Sequence, residues 1–79
     1  MVTVLRDSGF RFVIFTDDHE PAHVHVYGDG EAKIQILGRE GKPELIWVQK
    51  MKPSDVRKAM AIVTGHRSAL LAHWRKMHG

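Results

Sequence analysis

The hydrophobic period of this chain changes once, at Pro53. Before it, four blocks alternate: "FRFVIF" (10–15), "AHVHVY" (22–27), "EAKIQIL" (31–37) and "ELIWVQK" (44–50). A period of two belongs to the β-strand, whose successive side chains leave on opposite faces. Beyond Pro53, the apolar residues Val56, Met60, Val63, Leu70, Trp74 and Met77 recur at steps of three, four or seven, the spacing of one helical face. The pattern predicts an α+β fold. An antiparallel β-meander of about four strands is followed by a C-terminal helical segment packed on one face.

Turn chemistry supports the meander. Gly28-Asp29-Gly30 is a tight hairpin signal, and Gly38 and Gly41-Lys42-Pro43 bound the next loop. Connections this short join antiparallel neighbours. Phe10, Phe12, Ile14, Val24, Val26, Ala32, Ile34 and Ile36 then fall on strand faces that form a core, while His23, His25 and Tyr27 take the other side. Pro53 suits a first helical turn, with Ser54 or Asp55 as the expected cap. The apolar stripe is interrupted at "TGHR" (64–67), which predicts two helices or one bent helix. Trp74, with Leu70 and Leu71, reads as core, and Trp47 as its packing partner.

Seventy-nine residues make one domain, 1–79. A domain of this size buries only roughly 60% of its unfolded surface, so small chains often gain stability from a staple or a partner. There is no Cys, which excludes disulfides and thiolate metal sites. A His/carboxylate metal site or a partner protein remains. No apolar run reaches the ~20 residues of a membrane span, and the first residues lack the pattern of a secretion signal. The expectation is a cytoplasmic protein with no membrane association.

Charge is unevenly distributed. Residues 1–41 carry four Lys/Arg against seven Asp/Glu, and residues 42–79 eight against two. Lys50, Lys52, Arg57, Lys58, Arg67, Arg75 and Lys76 therefore form a candidate surface for nucleic acid or an acidic partner, alongside the plainer reading of a solvated helix face.

The chemistry concentrates in "DDHEPAHVHV" (17–26), with three histidines and three carboxylates in ten residues. His23 and His25 leave the same strand face, about 6–7 Å apart at Cβ given the strand rise. Three readings fit. His19, His23, His25 and Asp18 could share a divalent cation such as Zn²⁺, in a site with an open position. His23 and His25 could act as general acid and base, with Arg67 holding a phosphate. Or the polar residues form a wet strand face or an interaction surface. His66 and His73, seven apart, would share a helix face, and His78 sits where a helix C-terminus favours a cation. No Ser/His/Asp ordering, phosphate-binding Gly loop or glycosidase-like carboxylate pair is found.

"FTDDHEPAHVHV", the "AKIQIL" strand, the helix "VRKAMAIVTGHRSALLAHWRKMHG" and its terminal Trp-x-x-x-His-Gly resemble the bacterial family catalogued as domain of unknown function 4160, from Phe12 to Gly79. His19, Pro21, His23, Val24 and His25 carry the match, supported by Trp74 and His78. Asp17 stands where the family usually has Asn, Ala22 replaces a second Pro, and His66 stands where Asn is frequent. The resemblance implies a small bacterial or phage protein. It also implies a second short protein as cognate partner, of the family catalogued as domain of unknown function 2442, in a toxin–antitoxin-like pair. The leading expectation is a component of such a pair, with RNA cleavage by His23 and His25 as the chemistry of a toxin. The alternatives are a non-enzymatic binding module and a His-based metal-binding protein. An oligomer is compatible with each.

Overall fold

The computed structural model describes residues 1–78; Gly79, the last residue of the Trp-x-x-x-His-Gly signature, lies outside them. Five strands come first: β1 (Val2–Asp7), β2 (Phe10–Ile14), β3 (His23–Tyr27), β4 (Glu31–Gln35) and β5 (Glu44–Gln49). Two helices follow, α1 (Pro53–Gly65) and α2 (Arg67–His78). The strands form one antiparallel sheet in chain order, β1-β2-β3-β4-β5. The α+β meander is as expected, with one strand more than the four periodic blocks.

The additional strand is β1. Its pairing with β2 shifts register between Thr3 and Leu5. That bulge, at Val4, sets Leu5 opposite Phe12 on the same face as Val2 opposite Ile14, three positions apart, which hides the two-residue period. Ser8 (φ 54°) and Gly9 (φ 82°) join β1 to β2. Two consecutive residues with positive φ make the tight turn whose twist matches a hairpin. At the β3–β4 turn the constraint on glycine is proximity: a Cβ on Gly30 would lie 2.2 Å from the Lys50 carbonyl oxygen.

One sheet face is the core. Phe10, Phe12, Ile14, Val24, Val26, Ala32, Ile34 and Ile36 are buried there with Met51. Ala59 and Val63 of α1 and Leu70 and Trp74 of α2 pack against them. Both helices thus cover a single face, because only one stripe of each is apolar.

Several local expectations are corrected. Lys52 precedes α1, and neither Ser54 nor Asp55 caps it through its side chain; Pro53 fills the first turn, and the Asp55 and Val56 N–H groups donate to the Lys52 carbonyl. Of the two helical expectations the two-helix one holds: α1 and α2 are separate, broken at His66 (φ −114°, ψ 18°). His66 therefore stands outside both helices, 3.8 Å from Asp7, and shares no helix face with His73. Trp74 does not pack on Trp47. Its ring lies 5.1 Å from that of His23 and 4.0 Å from that of His78. Trp47 stays 37% exposed, because β5 ends the sheet and Trp47, opposite Lys33, lies on the face away from the one that Ala59, Val63 and Leu70 pack against. Among the described residues no helix is long and apolar enough to cross a membrane.

Candidate metal centre

The other sheet face carries the cluster. Strand register sets Val13, His25, Lys33 and Trp47 opposite one another across β2, β3, β4 and β5, all on that face. The β2–β3 connection folds over one end of it. Phe15 N donates to Asp18 Oδ2 (3.2 Å), and Asp18 N donates to the Phe15 carbonyl (3.1 Å). This closes a turn of the kind Asp favours, and it aims the carboxylate back at β3.

Asp18, His23 and His25 converge as a result. Asp18 Oδ2 lies 3.1 Å from His23 Nε2 and 3.8 Å from His25 Nε2. The two imidazole centroids are 5.4 Å apart. His23 is only 5% exposed and His25 is half-buried, so the two rings are recessed. Phe15 closes on His25 edge-on at 4.8 Å, and Trp47 at 6.0 Å.

The second nitrogen of each ring faces a proton acceptor. His23 Nδ1 donates to the Pro21 carbonyl at 2.9 Å, since a carbonyl can only accept. When the ring is neutral, its Nε2 lone pair therefore points at the Asp18 carboxylate. His25 Nδ1 is buried without a hydrogen bond, 3.5 Å from Glu31 Oε2. That carboxylate favours the proton on Nδ1, which leaves the His25 Nε2 lone pair toward Asp18 as well. Two lone pairs and a carboxylate oxygen repel one another unless a proton or a cation lies among them. Burial pushes the His25 pKa below its ordinary value, helped by the neighbouring His23 and opposed by Asp18 and Glu31. Desolvation thus favours the neutral ring, the form that binds metals.

The spacing suits a cation. The candidate ligand atoms of Asp18, His23 and His25 lie within 4.8 Å of one another. A tetrahedral ion with bonds of roughly 2.1 Å requires ligand separations of about 3.4 Å. The two carboxylate–imidazole separations, 3.1 and 3.8 Å, bracket that value, and the third, between the imidazoles, lies within 4.8 Å. The three groups open into a cleft of about 490 Å³, also lined by Asp17, His19, Glu20, Lys33, Gln35, Ile46 and Trp47. Three carboxylates against one ammonium make the cleft a cation attractor.

The other expected site residues fall elsewhere. His19 is exposed and lines the cleft but does not join the three converging groups. Arg67 is bound to the Gly41 carbonyl through Nη1 (2.7 Å) and takes no part in the cleft. Lys50, Lys52, Arg57, Lys58, Arg75 and Lys76 are exposed and line no part of it either. Sequence reasoning missed Glu31 and Lys33, although same-face parity from His25 points to both. It also missed Glu20, which accepts a hydrogen bond from Trp74 Nε1 at 3.0 Å; nothing local in the sequence signals a contact across 54 positions.

A family model described as Domain of unknown function (DUF4160) matches residues 9–75, a span that contains all three converging groups. No curated protein matches the chain. No solved structure matches it.

Proposed function

The chain belongs to the family described as Domain of unknown function (DUF4160), a description that assigns no activity, and from the geometry we propose that it is a divalent-metal-binding protein. Asp18 Oδ2, His23 Nε2 and His25 Nε2 supply three ligands, and the cleft leaves further positions for water or a substrate oxygen. Two His and one carboxylate with open positions suit Zn²⁺ or another first-row dication. The chemistry on offer is activation of a coordinated water, whose pKa a catalytic Zn²⁺ lowers to about 7. The observation that carries the reading is the ring polarity: each imidazole directs Nδ1 to an oxygen acceptor and Nε2 to the same Asp18 oxygen. Metal-binding histidines are commonly held by such outer partners. The test is calorimetric titration of untagged, chelator-stripped protein with Zn²⁺. One equivalent is expected for the wild type and for His19→Gln, and none for Asp18→Asn or His25→Gln. Wild-type protein that takes up no metal overturns the proposal.

A second reading keeps the histidines metal-free, as proton donor and acceptor in an RNA-cleaving member of a toxin–antitoxin-like pair. The 5.4 Å ring separation is the observation in its favour. The position of Arg67 and the acidic cleft weigh against it. RNA cleavage that persists in excess chelator and disappears in His25→Gln would favour it over the metal centre.

A further inference from the structure

β5 is unusual among the strands. It ends the sheet, so among the described residues no strand lies along its outer edge. All six of its residues are exposed. Leu45, Ile46, Trp47 and Val48 are 37–44% exposed in an unbroken row. Edge strands are normally blunted by an interior charge, a proline or a bulge that turns the edge aside. β1, at the opposite end, has Arg6 within it and a bulge. β5 holds neither proline nor charge between Glu44 and Gln49. It does carry a register shift against β4, and that shift governs what fits against it.

Because of the shift, Leu45 lies opposite Ile34 and Val48 opposite Ala32, both core-face residues. Trp47 lies opposite Lys33 and Gln49 opposite Glu31, on the cleft face. We infer that β5 pairs antiparallel with β5 of a second copy, about a two-fold axis between Ile46 and Trp47. Residues directly opposite in such a pair share a face. This register sets Leu45 against Val48, Ile46 against Trp47 and Glu44 against Gln49 of the other copy. Every pair then joins like faces, which a strand with this displaced Leu45/Val48 spacing achieves only against itself reversed. A register one residue longer sets Leu45 against Gln49 and mixes core face with cleft face. The chosen register also sets each Glu44 against the neutral Gln49 of the other copy, twice by symmetry, so that no like charges meet along the seam.

The result is one continuous ten-stranded sheet with both clefts on the same side. Ile46 and Trp47 line the cleft, so the seam runs along the two sites.

Sedimentation equilibrium of the full chain in chelator tests this without reference to metal. The expected mass is twice the 9.0 kDa of the chain. Leu45→Lys with Val48→Lys is expected to give a monomer with an unchanged circular dichroism spectrum. Leu45→Lys alone is expected to weaken association at least tenfold, and Leu45→Lys combined with Val48→Glu to restore it, because the register sets these two positions against each other. A wild-type chain that stays at 9.0 kDa at every concentration overturns the inference. So does a dimer that Leu45→Lys leaves untouched, or one that the added Val48→Glu fails to restore.

Discussion

Trp74 Nε1 donates to Glu20 Oε1 at 3.0 Å, joining the last helix to the loop that presents Asp18. The same indole packs 5.1 Å from the His23 ring. One residue of α2 therefore holds both a candidate ligand and the loop beside it.

Glu20→Ala is expected to remove that tie. A hydrogen bond to a charged group contributes about 1.5–3 kcal/mol, and the partly buried setting here places the loss toward about 1–2 kcal/mol. Glu20→Gln keeps an acceptor oxygen and is expected to recover most of it. Urea unfolding of the two variants checks the order. Equal losses would mean that the carboxylate, and not the acceptor, matters.

Glu31→Gln is expected to lower Zn²⁺ affinity by about 10-fold or more, the usual effect of losing an outer partner of a ligating histidine. The fold should be unaffected, since Glu31 is half-buried at the start of β4. Competition with a chromophoric chelator measures this.

The apo protein is expected to lose stability as pH falls below about 6.5. Burial holds the His25 pKa below that ordinary value in the folded chain. Between the two pKa values the unfolded chain binds more protons, so acid favours unfolding and stability rises with pH through that window. Asp18, Glu31 and His23 face the ring and set the size of the effect. Urea midpoints in chelator from pH 8 to 5 should be level above the window and decline within it, with a flatter profile for His25→Gln.

Arg67→Ala is expected to leave Zn²⁺ affinity unchanged. Its guanidinium bonds to Gly41 and not to the cleft, so the loss is one exposed hydrogen bond, at most about 1 kcal/mol. A collapse of metal binding would contradict the placement of the site.

Gly30→Ala is expected to cost about 1–3 kcal/mol, as overpacking does. Its Cβ would meet the Lys50 and Gln49 carbonyl oxygens at 2.2 and 2.5 Å, and backbone cannot swing aside as a side-chain tip can.

The sheet from β2 to β5 was legible because alternation and glycine turns speak locally, and the match of His23 and His25 on one face follows from parity alone. β1 was not legible, since a bulge erases its period. Asp18 was named in the candidate metal set beside His19, but nothing in the sequence ranks the two; that Asp18 converges and His19 does not depends on the Asp18 bond to the Phe15 N–H, a feature of loop shape. The role of Trp74 was half legible. Its burial follows from the helical stripe, but its neighbour is His23 and not Trp47, because the sheet ends at β5 and α2 reaches the start of β3 instead.

In the sheet each strand lies beside the one made just before it. Pairing can then advance hairpin by hairpin as the chain is synthesised, and loop closure stays inexpensive at each step. Among the described residues the first and the last ribbon laid down both keep an open outer side, because after Pro53 the chain turns to helices that cover a face and leave the two rims as they are.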